Sequence, residues 1–258
     1  MDIGPLMVFY SVLFGLVLGS FMNVCIYRLP RNQSIISPRS SCIHCGETIR
    51  FYDNLPLISY ILLLGRCRHC RNIISWQYPA VEALTGLLSL VLFIRYGLNL
   101  QYFLFLLFLG SLVTISFIDL YYKIIPDVLS LPGIVAGWGS TWLIGHVSWL
   151  DSLIGIAAGG GSLFLVAFLY ERLTGREGMG GGDIKLLAMI GAWMGWGPLP
   201  FVVLMSALSG VVIGVAFILL SGKGYRVRIP FGPFLSLGAI LYFFFGPELT
   251  HWYMGLYG

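Results

Sequence analysis

Charge is scarce in this sequence. Of its 258 residues only 10% are Asp, Glu, Lys or Arg, against 58% hydrophobic, and the mean hydropathy is +0.88. Soluble domains carry roughly 25% charged residues, so a soluble globular fold is excluded and a multi-span membrane protein is predicted. No Lys or Arg precedes Arg28. The start therefore lacks the basic region of a secretory signal peptide, and residues 6–27 read as a retained first helix. No glycine-rich nucleotide loop follows a strand pattern, as a soluble dinucleotide fold would require. The net charge of +4 is too small to imply nucleic acid, and no nucleic-acid partner is expected. The basic residues suit anionic lipid headgroups instead.

A membrane-crossing helix needs about 20 apolar residues. Windows of that kind lie at about 6–27, 79–97, 101–118, 128–146, 152–170, 184–196, 198–220 and 231–254. The sixth is short and interrupted by Gly191 and Gly195. The expected fold is thus an all-α polytopic membrane protein of about eight transmembrane helices. Between these windows lie Arg28, Arg31, Arg39, Arg50, Arg66, Arg68 and Arg71, then Lys123, then Arg172, Arg176 and Lys185, then Lys223, Arg226 and Arg228. These 14 of the 15 basic residues share one side, and only Arg95 falls opposite. That side is predicted to be the cytoplasm, with both chain ends facing away from it.

The only sizeable polar segment is 28–78, and it contains an internal repeat. Cys42-Ile43-His44-Cys45 is followed four residues on by Ile49, and Cys67-Arg68-His69-Cys70 by Ile74. Two C-x-x-C knuckles separated by 21 residues suit a zinc ribbon, because a tight turn presents two thiolates to one ion. Cys42, Cys45, Cys67 and Cys70 close the tetrahedral shell, so the metal is expected to be structural. A reducing cytoplasmic side weakens a disulfide reading, and the doubling weakens a redox one. His44 and His69 read as polar surroundings of the site, and Cys25 as a small buried apolar residue.

Two aspartates stand at the edges of apolar windows. Asp119 ends the third and Asp183 opens the sixth, after Gly178-Met179-Gly180-Gly181-Gly182. A carboxylate at the margin of hydrocarbon is costly and marks a functional position by default. If the two meet, repulsion and desolvation prevent both from ionising, and one can hold the proton while the other acts as base on a water. The glycine run lets an extended backbone approach. Alone, Asp183 would equally serve a helix N-terminus and Asp119 an interfacial pair with Lys123. Their common side and the glycine run favour the pair. Asp127, past Pro126, reads as a support for the turn, and Lys185 as a side chain that tunes Asp183 or snorkels to the interface.

These motifs, taken together, resemble the type IV prepilin peptidases, the bifunctional leader peptidases and N-methyltransferases of pilus and type II secretion systems. The likeness runs over nearly the whole chain. It covers Gly19-Ser20-Phe21-Met22-Asn23-Val24, Tyr27-Arg28-Leu29-Pro30, both knuckles and Tyr78-Pro79-Ala80-Val81-Glu82. It continues through Asp119 with Ile125-Pro126-Asp127, Gly180-Gly181-Gly182-Asp183-Ile184-Lys185 and Pro230-Phe231-Gly232-Pro233. One departure is Ile43, where the family commonly has proline.

The resemblance implies two catalytic aspartates, at Asp119 and Asp183. It implies removal of a basic leader from prepilins or pseudopilins at the cytoplasmic face of the bacterial inner membrane. It also implies N-methylation of the new terminus with S-adenosylmethionine. Candidate methyl-donor contacts are Asn23, Arg28, Gly65, Arg66 and Glu82; a juxtamembrane anchor, a turn and a helix cap are equally natural readings of Arg28, Gly65 and Glu82. The expected division is 1–97 for methyl transfer, with the 28–78 module, and 98–258 for peptide cleavage. A proton-coupled transporter with a zinc docking module is the alternative, although transporters show repeated halves and these halves are unlike. A purely structural zinc scaffold would leave the membrane-edge aspartates unexplained.

Overall fold

The structure, a computed structural model, describes residues 4–175, 178–221 and 230–255. Arg176, Lys223, Arg226 and Arg228, counted above toward the basic side, lie outside the described residues. Helices occupy all eight expected positions. The described elements are α1 (Pro5–Arg28), α2 (Ile58–Leu62), α3 (Gln77–Tyr96), α4 (Leu100–Tyr122), α5 (Asp127–Ile144), α6 (Trp149–Thr174), α7 (Gly181–Met194), α8 (Leu199–Ser221) and α9 (Gly232–Gly255). Among the described residues there are two isolated β-bridges and no strand. Five helices, α1, α3, α4, α6 and α8, are long and apolar enough to cross a membrane by length and composition. The chain forms two compact units, Met1–Thr114 and Ile115–Gly258, whose boundary falls inside α4.

In the first unit α1 packs along α3 through small residues. A Cβ on Gly19 would stand 2.7 Å from the Glu82 Cα, and one on Gly15 would stand 2.5 Å from the Ser89 Cβ. Gly15 and Gly19 are four apart, the small-x-x-x-small spacing that lets backbones touch where lipid offers no hydrophobic drive. Ser89 adds a hydroxyl bond to the Ser11 carbonyl at 2.6 Å. At the other end of the pair Asn23 Nδ2 donates to the Tyr78 carbonyl at 3.0 Å.

The segment between α1 and α3 carries the two knuckles, and the repeat seen in the sequence recurs in the backbone. Cys42 N–H bonds to Glu47 O, Gly46 N–H to Cys42 O, and Ile49 N–H to Ser40 O; Cys67, Arg71 and Ile74 repeat this with Asn72, Cys67 and Gly65. Bridges Ser41–Thr48 and Arg66–Ile73 sit at matching places. Gly46 and Arg71, also matching, both have positive φ, 73° and 60°. The turn demands that conformation, which glycine meets without strain and arginine does not.

In the second unit α7 lies at the centre, against α5, α6, α8 and α9. Its residues Leu186 to Trp193 are all buried. Fourteen residues reach only about 21 Å, short of a bilayer's hydrocarbon core, and neighbours cover α7 from Leu186 to Trp193. Gly155 and Gly159 of α6 admit it, because their missing side chains are replaced by the Gly191 and Leu187 carbonyls.

Candidate active site

Asp119 sits in the last turn of α4 and is buried. Its Oδ2 accepts the backbone N–H of Gly232 at 2.9 Å. Gly232 is the first residue of α9, so this N–H has no partner within its own helix, and a carboxylate is the favoured acceptor there. The chain then turns at Lys123, whose φ is 56°, and Ile125 enters between two glycines. A Cβ on Gly182 would meet the Ile125 Cβ at 2.8 Å, and one on Gly232 would meet its Cδ1 at 3.2 Å. Asp183 follows Gly182 in the first turn of α7 and lies close enough to feel the charge of Asp119. Gly182, which precedes Asp183, and Gly232, which holds Asp119, thus both pack on Ile125.

Asp127 and Lys185 join the same ends from outside. Lys185 Nζ lies 2.6 Å from Asp127 Oδ1, tying the first residue of α5 to the fifth residue of α7. Lys185 is therefore partnered by Asp127, and Asp127 supports more than its own turn. Lys123 approaches Asp119 through backbone, its N–H donating to the Asp119 carbonyl at 2.9 Å.

In the first unit the ligand sulfurs of Cys42, Cys45, Cys67 and Cys70 all lie within 4.8 Å of one another. Cys42 and Cys70 Sγ are 3.8 Å apart, the separation of two thiolates on a tetrahedral ion with metal–sulfur bonds of ~2.3 Å. Burial pushes the Cys42 thiol up, but the N–H groups of Cys45 and His44 and the Cys67 and Cys45 thiols outweigh it and bring it to about 7. The donor set suits a soft cation. His44 and His69 are exposed and stand outside the four-sulfur cluster. Arg68 forks onto Asp53, with Nη2–Oδ1 at 2.6 Å and Nε–Oδ2 at 2.8 Å.

Beside the knuckles lies a cavity of about 590 Å³ lined entirely by the first unit. That volume lies within the roughly 300–1,000 Å³ range of small-molecule sites. Asn23, Arg28 and Glu82 line it; Gly65 and Arg66 do not. Arg28 is buried and spends its guanidinium on the Ser34 and Pro38 carbonyls at 2.8 and 2.7 Å. Glu82 is buried with no cationic partner among the described residues, and its Oε2 accepts the Leu57 N–H at 2.9 Å. Gly65, at φ 65°, lies against the Tyr60 ring and starts the second knuckle with Arg66.

Residues 13–96 match the bacterial peptidase A24 N-terminal domain, and residues 106–215 match the type IV leader peptidase family. A prepilin leader peptidase/N-methyltransferase of Aeromonas hydrophila is 39% identical, over 94% of this chain and 92% of that protein. Proteins of the same name from Pseudomonas aeruginosa and Legionella pneumophila are 36% and 35% identical, covering 96% and 94% of this chain and 93% of each relative. The chain belongs to the type IV leader peptidase family. No solved structure matches it.

The family's two matched regions fall on either side of the α3–α4 turn. The cysteine cluster and cavity belong to the first, and Asp119 and Asp183 to the second. Sequence reasoning missed Gly232 as the partner of Asp119, although Pro230-Phe231-Gly232-Pro233 stood out. A glycine opening a helix offers a free N–H, which was the available signal. Ile125 carried no signal beyond being apolar.

Proposed function

We propose that this family member removes leader peptides from type IV prepilins or pseudopilins and N-methylates the new N terminus. Asp119 and Asp183 are the catalytic pair, sharing one proton so that one carboxyl activates a water while the other serves as acid. The packing of Ile125 between Gly182, next to Asp183, and Gly232, bonded to Asp119, supports this reading. The Gly180-Gly181-Gly182 run supports it, since Cβ atoms on Gly180 and Gly181 would meet little or nothing, leaving room for an extended substrate strand.

In this reading the four cysteines hold a structural zinc ion, and the first unit handles methylation. The cavity takes S-adenosylmethionine, which supplies a methyl group bound to a cationic sulfur. Glu82 is our choice for the residue facing that cation, since a buried carboxylate without a cationic partner is costly unless it has a function. Asn23 fixes the Tyr78 backbone at the cavity edge, while Arg28 braces the strap 34–38. Gly65 and Arg66 act through the second knuckle. The membrane is the bacterial inner membrane, with both sites at its cytoplasmic face.

The test is mass analysis of a purified prepilin incubated with the enzyme, with and without methyl donor. Loss of the leader in both samples and one added methyl group only with donor are expected. An intact prepilin overturns the proposal.

A further inference from the structure

The 28–78 segment reads as a soluble module, yet its middle does not have a soluble surface. Helix α2 places Ile58, Ile61 and Leu62 outward, and Leu64 follows. Ile61 is 68% exposed, Leu62 76% and Leu64 85%. Positions 58, 61 and 62 share one helix face, so their apolar side chains form one patch, and Trp76, just before α3, is likewise exposed. The opposite side of the same stretch is inward and more polar. Ser59 is buried with its hydroxyl on the Tyr52 carbonyl at 2.9 Å, and Leu57, Ser59 and Tyr60 line the cavity. Such a sidedness puts the water-avoiding face away from the protein.

A depth can be assigned to this patch. Helix α3 has 20 residues, about 30 Å of rise, which matches the ~30 Å hydrocarbon core with none to spare. Glu82 is the sixth residue of α3, about 7.5 Å below its start. Its side chain leans back toward the helix start, so the carboxylate lies at the level of the first turn. The Leu57 N–H is bonded to that carboxylate at 2.9 Å, which brings the start of α2 to the same level. Leu57 holds φ 58° and ψ −45°, with the Ile58 N–H on the Pro56 carbonyl. That is a γ-turn of the rare strained kind, and the buried Glu82 helps hold it. Arg66, two residues past Leu64, is exposed, where a long cationic side chain can reach headgroups.

We propose that α2 and Leu64 form a membrane-surface anchor, seated in the cytoplasmic leaflet at the boundary of headgroups and acyl chains. The cavity wall is then held by lipid on its outer side, and the cavity stands at the membrane surface. An amphipathic chain end would reach it by moving along the bilayer.

The test places a photoreactive benzoylphenylalanine at Leu62 or Leu64 of the full-length protein. The protein is reconstituted in vesicles of phosphatidylethanolamine and phosphatidylglycerol, and cross-linked products are read by mass spectrometry. Positions Val17, on the outer face of α1, and Glu47, on the exposed first knuckle, bracket the scale. Lipid adducts at 62 and 64 should match those at 17 and exceed those at 47 at least tenfold. Adduct yields no higher than at 47 would overturn the proposal. So would products dominated by a second copy of the chain, which would make the patch a protein interface.

Discussion

The backbone N–H of Gly232 donates to Oδ2 of Asp119 at 2.9 Å, across 113 residues of sequence. It joins the end of one helix to the beginning of another and occupies one oxygen of the carboxylate. A Cβ at position 232 would stand 2.7 Å from that oxygen, closer than side chains tolerate.

Gly232→Ala should therefore displace the Asp119 carboxylate. A misplacement of about 1 Å costs on the order of 10²-fold in rate, so leader cleavage should fall ~10- to 100-fold. Methylation of a pilin already freed of its leader should be unaffected. Steady-state assays of both reactions on the purified variant check this; a normal cleavage rate would show that the bond only caps α9.

Asp119→Asn and Asp183→Asn should each lose cleavage by ~10²–10⁴-fold, the usual weight of an acid/base group. In Asp119→Asn the new amide oxygen can still accept the Gly232 N–H, so the variant should insert and purify like the parent. Prepilin processing in cells, scored against the amount of membrane-inserted enzyme, decides it.

Removing the proposed metal, or Cys67→Ser, should open the 28–78 segment to protease and cut methylation ~10-fold or more, because a structural metal site contributes folding energy directly. Cleavage should fall less. Equal loss of both activities would mean that the knuckles support the whole protein.

Arg68 hydrogen-bonds the Asp53 carboxyl and holds it below the ordinary carboxylate range. A group whose value is lowered by folding contributes stability above its unfolded value, roughly 3.9, and loses it as pH falls through the folded value. The fold of the 50–70 segment should thus be insensitive to this pair from pH 8 down to about 5 and loosen below about 4. Amide exchange across that range, compared with Asp53→Asn, provides the check. The variant should have lost the pair already at neutral pH.

Much was legible in the sequence because the forces concerned are local. Hydropathy over a window of about 20 residues located every long helix, and the paired knuckles announced a four-sulfur cluster that the backbone repeats bond for bond. Asp119 and Asp183 were visible as charges in the wrong solvent.

What only the tertiary structure decided were the pairings between distant elements. Nothing near Asp119 names Gly232, nothing near Lys185 names Asp127, and nothing near Glu82 names Leu57. Each is a buried or helix-end polar group whose need for a partner is written locally, whereas the partner is whichever complementary atom packing brings within about 3 Å. The burial of the short helix α7 was settled the same way, by the glycines of α6 that let it in rather than by its own hydropathy.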